Sequence, residues 1–290
     1  MNTTLLTYIG SKGKLVETIK AIFPPHICYV EAFGGSGVIL LNKPPSFVEV
    51  YNDYNNDLVN LFRVVREQKT FGELERVLNL TLYARNEWEE ARKILGHPEI
   101  TDPVQRAWAM FVAFNQSVNG AILQNDKMSK TPKRGGWAKS NKRGKNGSFW
   151  YKVNNLQKIH ERLKSVQIEH KHFLDVIAFY DTPDTLFYLD PPYVSATRSE
   201  EKSYQYELYN FEHKELLEII TACQGKVILS GYDNELYREC LHNWNRIDFE
   251  TMSGARGDGV HVERVETIWY NYELPKLERE HPLQLQLLEL

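Results

Sequence analysis

Leu186-Phe187-Tyr188-Leu189 runs straight into Asp190-Pro191-Pro192-Tyr193, and this junction restricts the possible fold more than any other stretch. The apolar run has the length and aromatic bias of a buried strand. Ligands of open α/β sheets bind beyond the carboxyl ends of such strands, which puts Tyr193 at the mouth of a crevice. Tandem prolines fix φ and remove two backbone donors, so the carbonyls of Asp190 and Pro191 are free to face a ligand. An exocyclic amine offers two hydrogens, which a carboxylate and a carbonyl can accept together. That chemistry points to a purine base. A strand that merely ends in a proline turn would look the same in isolation, so the neighbouring segments must decide.

The flanking pattern is that of an α/β chain. Lys14 to Phe23 reads as a helix, Ile27 to Phe33 as a strand, Ser36 to Leu41 as a helix, Phe47 to Tyr51 as a strand and Asn55 to Arg66 as a helix, which is a βαβ opening. Helical periodicity then fills Phe71 to Leu80, Asn86 to Leu95 and Pro103 to Phe114, and returns from Val153 to Ser165 after a basic, glycine-rich stretch. Alternation resumes with strands at Val166 to His170, Leu186 to Leu189 and Lys226 to Gly231, and helices at His213 to Thr221 and Asn234 to Asn243. The last two strands, Ile247 to Met252 and Thr267 to Tyr272, have no helix between them and suggest an antiparallel edge hairpin. Residues 67–165 therefore read as a mostly helical lobe inserted into a core of 1–66 and 166–274, with a tail at 275–290 that is either a short docked helix or a frayed end.

With 290 residues, 42% hydrophobic and 25% charged, the composition is that of a globular protein. No apolar run approaches the roughly 20 residues that cross a bilayer. The start, Met1-Asn2-Thr3-Thr4, has no charged segment leading to a secretory signal, so a cytoplasmic protein without membrane contact is expected. Cys28, Cys223 and Cys240 match no paired metal spacing; buried thiols are expected, with no metal and no disulfide framework.

Charge is uneven. Residues 115–153 hold nine Lys or Arg (Lys127, Lys130, Lys133, Arg134, Lys139, Lys142, Arg143, Lys145 and Lys152) against Asp126 alone, a balance of 9 - 1 = +8. Trp137, Phe149, Trp150 and Tyr151 interleave flat faces with them. Such a mixture suits a segment that tracks phosphates, whereas a solvated lysine-rich loop is the plainer alternative.

Two further segments carry chemistry. Phe33-Gly34-Gly35-Ser36-Gly37 turns a strand into a helix with bare backbone at the turn, and Asn52-Asp53 ends the next strand, where an acid can accept both hydroxyls of a ribose. The full G-x-G-x-x-G spacing is missing, which argues against a nicotinamide cofactor. Tyr8 to Lys12 precedes the first helix and offers small residues and a cation to an anionic group, or is only a helix-leading loop.

Taken in order, Tyr8 to Lys12, Phe33 to Gly37, Asn52-Asp53 and Asp190 to Tyr193 resemble the DNA adenine-N6 methyltransferases of the Dam type (the D12 class, alpha group). The resemblance extends to Phe114-Asn115-Gln116-Ser117-Val118-Asn119-Gly120, to Phe211-x-His213 and to Ile228 to Tyr232, and covers most of the chain. It implies a Rossmann-like core with a mixed, mainly parallel seven-stranded sheet that binds S-adenosylmethionine, and an inserted lobe that reads double-stranded DNA. By similarity, Tyr8 and Lys12 line the cofactor or target-base pocket, Phe33, Gly34, Gly35, Ser36 and Gly37 lie under the cofactor, Asp53 holds its ribose, and Asp175 lies near the cofactor adenine unless it is an ordinary helix cap or surface acid. Asp190, Pro191, Pro192 and Tyr193 would hold an adenine flipped out of the duplex.

DNA contacts are expected from Asn119, Gln124, Lys127, Lys130, Lys133, Arg134, Lys139, Lys142, Arg143 and Lys145, most of them on phosphate. After Gly120 the chain continues Ala121-Ile122-Leu123-Gln124, without the arginine and the later segment of GATC-reading relatives, so the resemblance does not set the recognition sequence. Nor does it say whether a cognate restriction endonuclease acts beside the enzyme. Cytosine-N4 transfer and a catalytically inactive DNA-binding relative are the alternative readings.

Overall fold

The protein is seen in a computed structural model that describes residues 2–8, 10–118, 136–139, 144–192, 210–252 and 263–274. Its strands are β1 (Cys28–Glu31), β2 (Val48–Asn52), β3 (Val166–Glu169), β4 (Thr185–Leu189), β5 (Lys226–Tyr232), β6 (Asn245–Met252) and β7 (Glu263–Tyr270). They form one seven-stranded sheet in the order β3-β2-β1-β4-β5-β7-β6. Pairs β1–β2, β1–β4 and β4–β5 are parallel, whereas β7 runs antiparallel to both β5 and β6. The expected mixed, mainly parallel α/β sheet is therefore present, and the closing hairpin places β7 inside and β6 at the edge.

Two compact units divide the chain: residues 1–16, 35–44 and 55–170 in one, and 17–34, 45–54 and 171–290 in the other. In the second unit, alternate residues of the parallel strands (Val30, Val50, Phe187, Leu189, Val227, Leu229) share a core with Phe173, Val176 and Ile177 of helix α9 (Phe173–Tyr180) and with Leu216, Leu217 and Ile220 of α10 (Asn210–Ala222). The intervening Tyr29, Tyr51, Tyr188 and Ile228 are buried as well. Burial on both faces is what the continuous apolar run at 186–189 encodes.

Helices α3 (Asn56–Arg66), α4 (Gln68–Leu80), α5 (Arg85–Gly96) and α6 (Pro103–Asn115) build much of the first unit. Nearly every residue of α6 is buried, and α3, α4 and α5 pack on it. A helix apolar on all sides is stable only as such a centrepiece. Its start is set by Pro103 in the first turn and by Asp102, whose side chain accepts from the Gln105 N–H at 2.6 Å. The Arg106 guanidinium forks onto Asp57 of α3 with bonds of 2.7 and 2.9 Å. That paired geometry fixes the angle between two helices as well as their distance.

Several expectations need correction. The helix expected from Val153 is two helices, α7 (Gly144–Asn154) and α8 (Leu156–Leu163). Its first turns, Gly144-Lys145-Asn146-Gly147-Ser148, have poor helix propensity, and tertiary packing overrides it. Phe149 supplies that packing, fully buried with Phe111 and Tyr83 at 5.7 and 6.0 Å, and so offers no flat face to a ligand. Helix α9 is absent from the expected elements. Lys152, counted in the basic balance, is buried. Cys240, expected to be buried, is exposed at the end of the short helix α11 (Glu235–Cys240), while Cys28 and Cys223 are half-buried. The tail 275–290 lies outside the described residues.

Candidate active site

Parallel strands in register end on the same edge of a sheet, so each turn or acid that follows one of them faces the same way. In the second unit Glu31, Tyr51 and Tyr188 are register partners at the ends of β1, β2 and β4. Ala32-Phe33-Gly34 leaves β1, Asn52-Asp53 closes β2, and Asp190-Pro191-Pro192 leaves β4. The structure thus brings Phe33, Gly34, Asp53 and Asp190 to one edge. Asp53 and Asp190 are both half-buried, reachable by a ligand yet partly shielded from water.

Asn52 is the fastener of this edge. Its Nδ2 donates to the carbonyls of Ala32 at 2.9 Å and Lys171 at 3.2 Å, and its Oδ1 accepts from the Lys171 N–H at 2.9 Å. Beside it the Gly34 N–H donates to the Asn52 carbonyl at 2.7 Å. A Cβ on Gly34 would lie 2.2 Å from the Tyr51 ring, so only glycine lets the strand turn here. Phe33 packs on Phe173, 5.0 Å between centroids, at the start of α9. The cap of α9 is His172, whose Nδ1 accepts from the Leu174 N–H at 3.4 Å. Asp175 is therefore no cap; it lies exposed in the first turn of α9, two residues from Phe173.

A buried acid that the sequence reading passed over sits just below. Glu31 is 2% exposed, and its Oε1 accepts from the Tyr29 hydroxyl at 2.7 Å. Burial first, and the Glu31 charge second, hold the Tyr29 phenol well above its ordinary value.

The first unit gathers the other expected residues. Gly35 and Gly37 adopt φ of +51° and +60°, the left-handed region that side chains disfavour. The Tyr8 ring stacks on Phe114 of α6, with centroids 5.4 Å apart and planes 11° from parallel, and it lies 3.5 Å from where a Cβ on Gly35 would be. Ser11 and Ser36 approach to 3.3 Å through their hydroxyls. Lys12 is buried, with its Nζ donating to the Gly10 carbonyl at 3.2 Å. Tyr8, Gly35 and Ser36 are thus drawn together with the segment that carries Lys12. A clamp that sequence reasoning missed holds this segment: Lys152 Nζ donates to Thr7 Oγ1 at 2.5 Å and to Asn115 Oδ1 at 2.8 Å. Asn115 Oδ1 also accepts from the Thr7 N–H at 2.8 Å, and its Nδ2 donates to the Leu5 carbonyl.

Among the expected DNA contacts, Lys139 is described and exposed. Asn119, Gln124, Lys127, Lys130, Lys133, Arg134, Lys142 and Arg143, together with Tyr193 of the tetrad and the side chain of Lys145, lie outside the described residues. The neck of that basic stretch is visible: Val118 N–H donates to the Gly136 carbonyl at 3.0 Å and Ala138 N–H to the Gln116 carbonyl at 2.7 Å. Trp137 is held there by the Tyr83 ring and the Arg85 guanidinium, at 5.9 and 5.2 Å. Among the described residues no three His, Cys, Asp or Glu side chains are arranged to hold a metal, and no helix is long and apolar enough to cross a membrane.

A chain with a glycine turn, an acid and a second acid on adjoining strand ends is similar to known proteins. It is 24% identical over 249 residues to a DNA adenine methylase of Serratia marcescens, an alignment covering 82% of this chain and 86% of that protein. The model of the D12 class N6 adenine-specific DNA methyltransferases matches residues 8–254, from Tyr8 through the strand-end acids and past the tetrad. That match spans most of the chain, which therefore belongs to the D12 class of N6 adenine-specific DNA methyltransferases.

Proposed function

We propose that this enzyme methylates an adenine extruded from double-stranded DNA in the cytoplasm, with Asp190 and the Pro191 carbonyl as acceptors of the two N6 hydrogens. The observation that carries the reading is the register of β2, β1 and β4, which sets Asp53, the Phe33-Gly34 turn and Asp190 on one edge. S-Adenosylmethionine, used by methyltransferases of this class, supplies when bound a methyl group activated on a sulfonium. The chain fits such a cofactor: half-buried Asp53 closes β2 beside the Phe33-Gly34 turn that leaves β1, where a carboxylate suits the two ribose hydroxyls.

Asp190 does its part on the substrate. With both N6 hydrogens accepted, the amine nitrogen is drawn towards tetrahedral geometry and its lone pair is turned to the methyl. Extruding the base costs a few kcal/mol, offset by contacts in the pocket, where Tyr193 would stack on the ring. Alignment of this kind is worth on the order of 7 to 11 kcal/mol in favourable cases, so neither a covalent enzyme intermediate nor a metal is required. Lysines and arginines from Lys127 to Lys145 suit the DNA backbone by their charge alone.

Incubation of the purified protein with labelled S-adenosylmethionine and unmethylated plasmid, followed by mass analysis of the nucleosides, should give N6-methyladenine. N4-methylcytosine would overturn the assignment of the base. Modification-sensitive sequencing of the same plasmid then reads the target site. Asp190→Ala should abolish transfer and leave DNA binding intact; full activity in that variant refutes the role of Asp190.

A further inference from the structure

Arg85 opens α5, where local electrostatics gives no reason for a cation. The first turn of a helix favours negative charge, and Ala84 ahead of it supplies no capping side chain. Glu89 stands four residues on, at the spacing where helical ion pairs form. The exposed guanidinium nevertheless lies over the Trp137 ring, 5.2 Å from its centroid, and among the described residues it makes neither a hydrogen bond nor an ion pair. Other exposed cations behave differently: Lys93, Lys164 and Arg238 each meet a carboxylate at 2.8 to 3.4 Å.

The ring beneath Arg85 is fixed in place. Gln116 is fully buried; its Oε1 accepts from the Ala84 N–H at 3.1 Å and from the Trp137 indole N–H at 3.4 Å, and its Nε2 donates to the Leu82 carbonyl at 2.9 Å. One side chain thus ties the start of α5 to the neck where Ser117 bridges Trp137. Ala138 is held on both sides: its N–H donates to the Gln116 carbonyl at 2.7 Å, and its carbonyl accepts from the Tyr83 hydroxyl at 2.7 Å. The Lys139 N–H then donates to the Trp137 carbonyl at 3.0 Å, a tight turn that keeps Lys139 beside the tryptophan. Exposed Lys139 likewise has no carboxylate partner among the described residues.

An indole face attracts a guanidinium through its charge and leaves the fork of N–H donors to another partner. Because the stack already limits the side chain, less freedom is lost when that partner binds. We propose that Arg85, carried on Trp137, forms with Lys139 a phosphate-binding pair that takes the backbone of the DNA substrate. Charge identifies the partner: two cations without acids, on a rigid base at the neck of the segment whose balance is +8, suit the repeated anions of a duplex. Arg85 itself lies ahead of that segment in the chain, so counting charges along the sequence passes over it. Phosphate contacts position a duplex and carry no base information, so the pair sets where the DNA lies and not which site is chosen. The proposal rests on DNA being the substrate, as the class implies, and on no part of the reading of Asp190.

The test measures duplex binding by fluorescence anisotropy over a salt series, for the unaltered enzyme and for Arg85→Gln, Lys139→Gln, the double variant, Arg85→Lys and Lys93→Gln. Each phosphate contact removed lowers the slope of log K against log[salt] by about 1. Arg85→Gln and Lys139→Gln should each lose about that much slope and about three- to ten-fold in affinity, alike for duplexes of different sequence, and the double variant about twice the slope. Arg85→Lys keeps the charge and should keep the slope. Lys93→Gln, on the same helix but paired with Glu90, should leave it unaltered. Calorimetric affinity for S-adenosylmethionine should not change in any of them. A slope that holds in Arg85→Gln overturns the proposal whatever happens to Tm. An equal fall in Lys93→Gln overturns it too, since that pattern is the general field of the surface and not a contact. If the unaltered enzyme binds no duplex, DNA as the substrate fails and the proposal with it; if it binds and only the slope prediction fails, the proposal alone falls.

Discussion

Asn52 bonds both backbone groups of Lys171, donating from Nδ2 to its carbonyl at 3.2 Å and accepting at Oδ1 from its N–H at 2.9 Å. A side chain that satisfies a donor and an acceptor of one residue substitutes for a strand neighbour where the ladder stops. With the further bond to the Ala32 carbonyl, the end of β2 is stitched to two other segments. Asn52→Ala should therefore destabilise the protein by about 1 to 3 kcal/mol, seen as a lower denaturant midpoint. Its half-buried neighbour behaves oppositely: Asp53→Ala should leave the midpoint within about 0.5 kcal/mol and weaken S-adenosylmethionine binding in calorimetry. Equal effects on stability would remove the distinction between fastener and ligand group.

Adjacent glycines should fail for different reasons. In Gly34→Ala the new Cβ would overlap the buried Tyr51 ring, 2.2 Å away, and the forced shift should cost about 1 to 3 kcal/mol. A Tyr51→Leu background should relieve much of that cost, because the two sites couple by contact. Gly35→Ala has room, with its nearest neighbour at 3.5 Å, but sits at φ +51°. Its penalty of about 1 to 2 kcal/mol is backbone strain, and removing the Tyr8 ring should leave it unchanged. Thermal unfolding of the single and double variants separates the two causes.

Lys152→Met keeps the aliphatic stem and removes the donors shared by Thr7 and Asn115. We expect a loss of about 1 to 3 kcal/mol and several-fold weaker S-adenosylmethionine binding, because Tyr8 follows Thr7 directly. Lys152→Ala should cost more through the cavity it leaves. Calorimetry on the folded variants checks the binding arm.

Thiol chemistry gives a pH test. Burial first, and the Asp181 charge second, push the Cys223 thiol up to about 11 from 9.0. Between those values the folded chain keeps a proton that the unfolded chain has lost, so this contribution is intact below pH 9.0 and fades as pH approaches 11. Iodoacetamide at pH 8 should label exposed Cys240 first, with Cys223 reacting appreciably only towards pH 11. Peptide mass analysis reads both rates; early labelling of Cys223 would contradict its shielding.

How far the sequence speaks is visible in particular residues. Period and composition announce β1, β4, α3 and α6, because apolar spacing and the Asp102-Pro103 start are local signals. Helix α7 escapes notice because its glycine-rich first turns are held by Phe149, whose partners Tyr83 and Phe111 are far away in the chain. The site divides in the same way. Asp53 and Asp190 stand at strand ends that the pattern already marks, whereas the Lys152 clamp on Thr7 and Asn115 joins residues far apart in the chain and shows only in the folded protein. Lys152 looks like one more basic residue until its burial is known.

The hydrogen bonds between Gln116 to Val118 and Gly136 to Ala138 bring the two ends of the intervening segment to a single anchorage on α6. Lengthening or replacing what hangs from such an anchorage costs the host little, since closure entropy grows only with the logarithm of loop length. If the segment between Val118 and Gly136 reads DNA as proposed, its sequence can be exchanged at that anchorage while the strand ends that carry Asp53 and Asp190 are inherited unchanged.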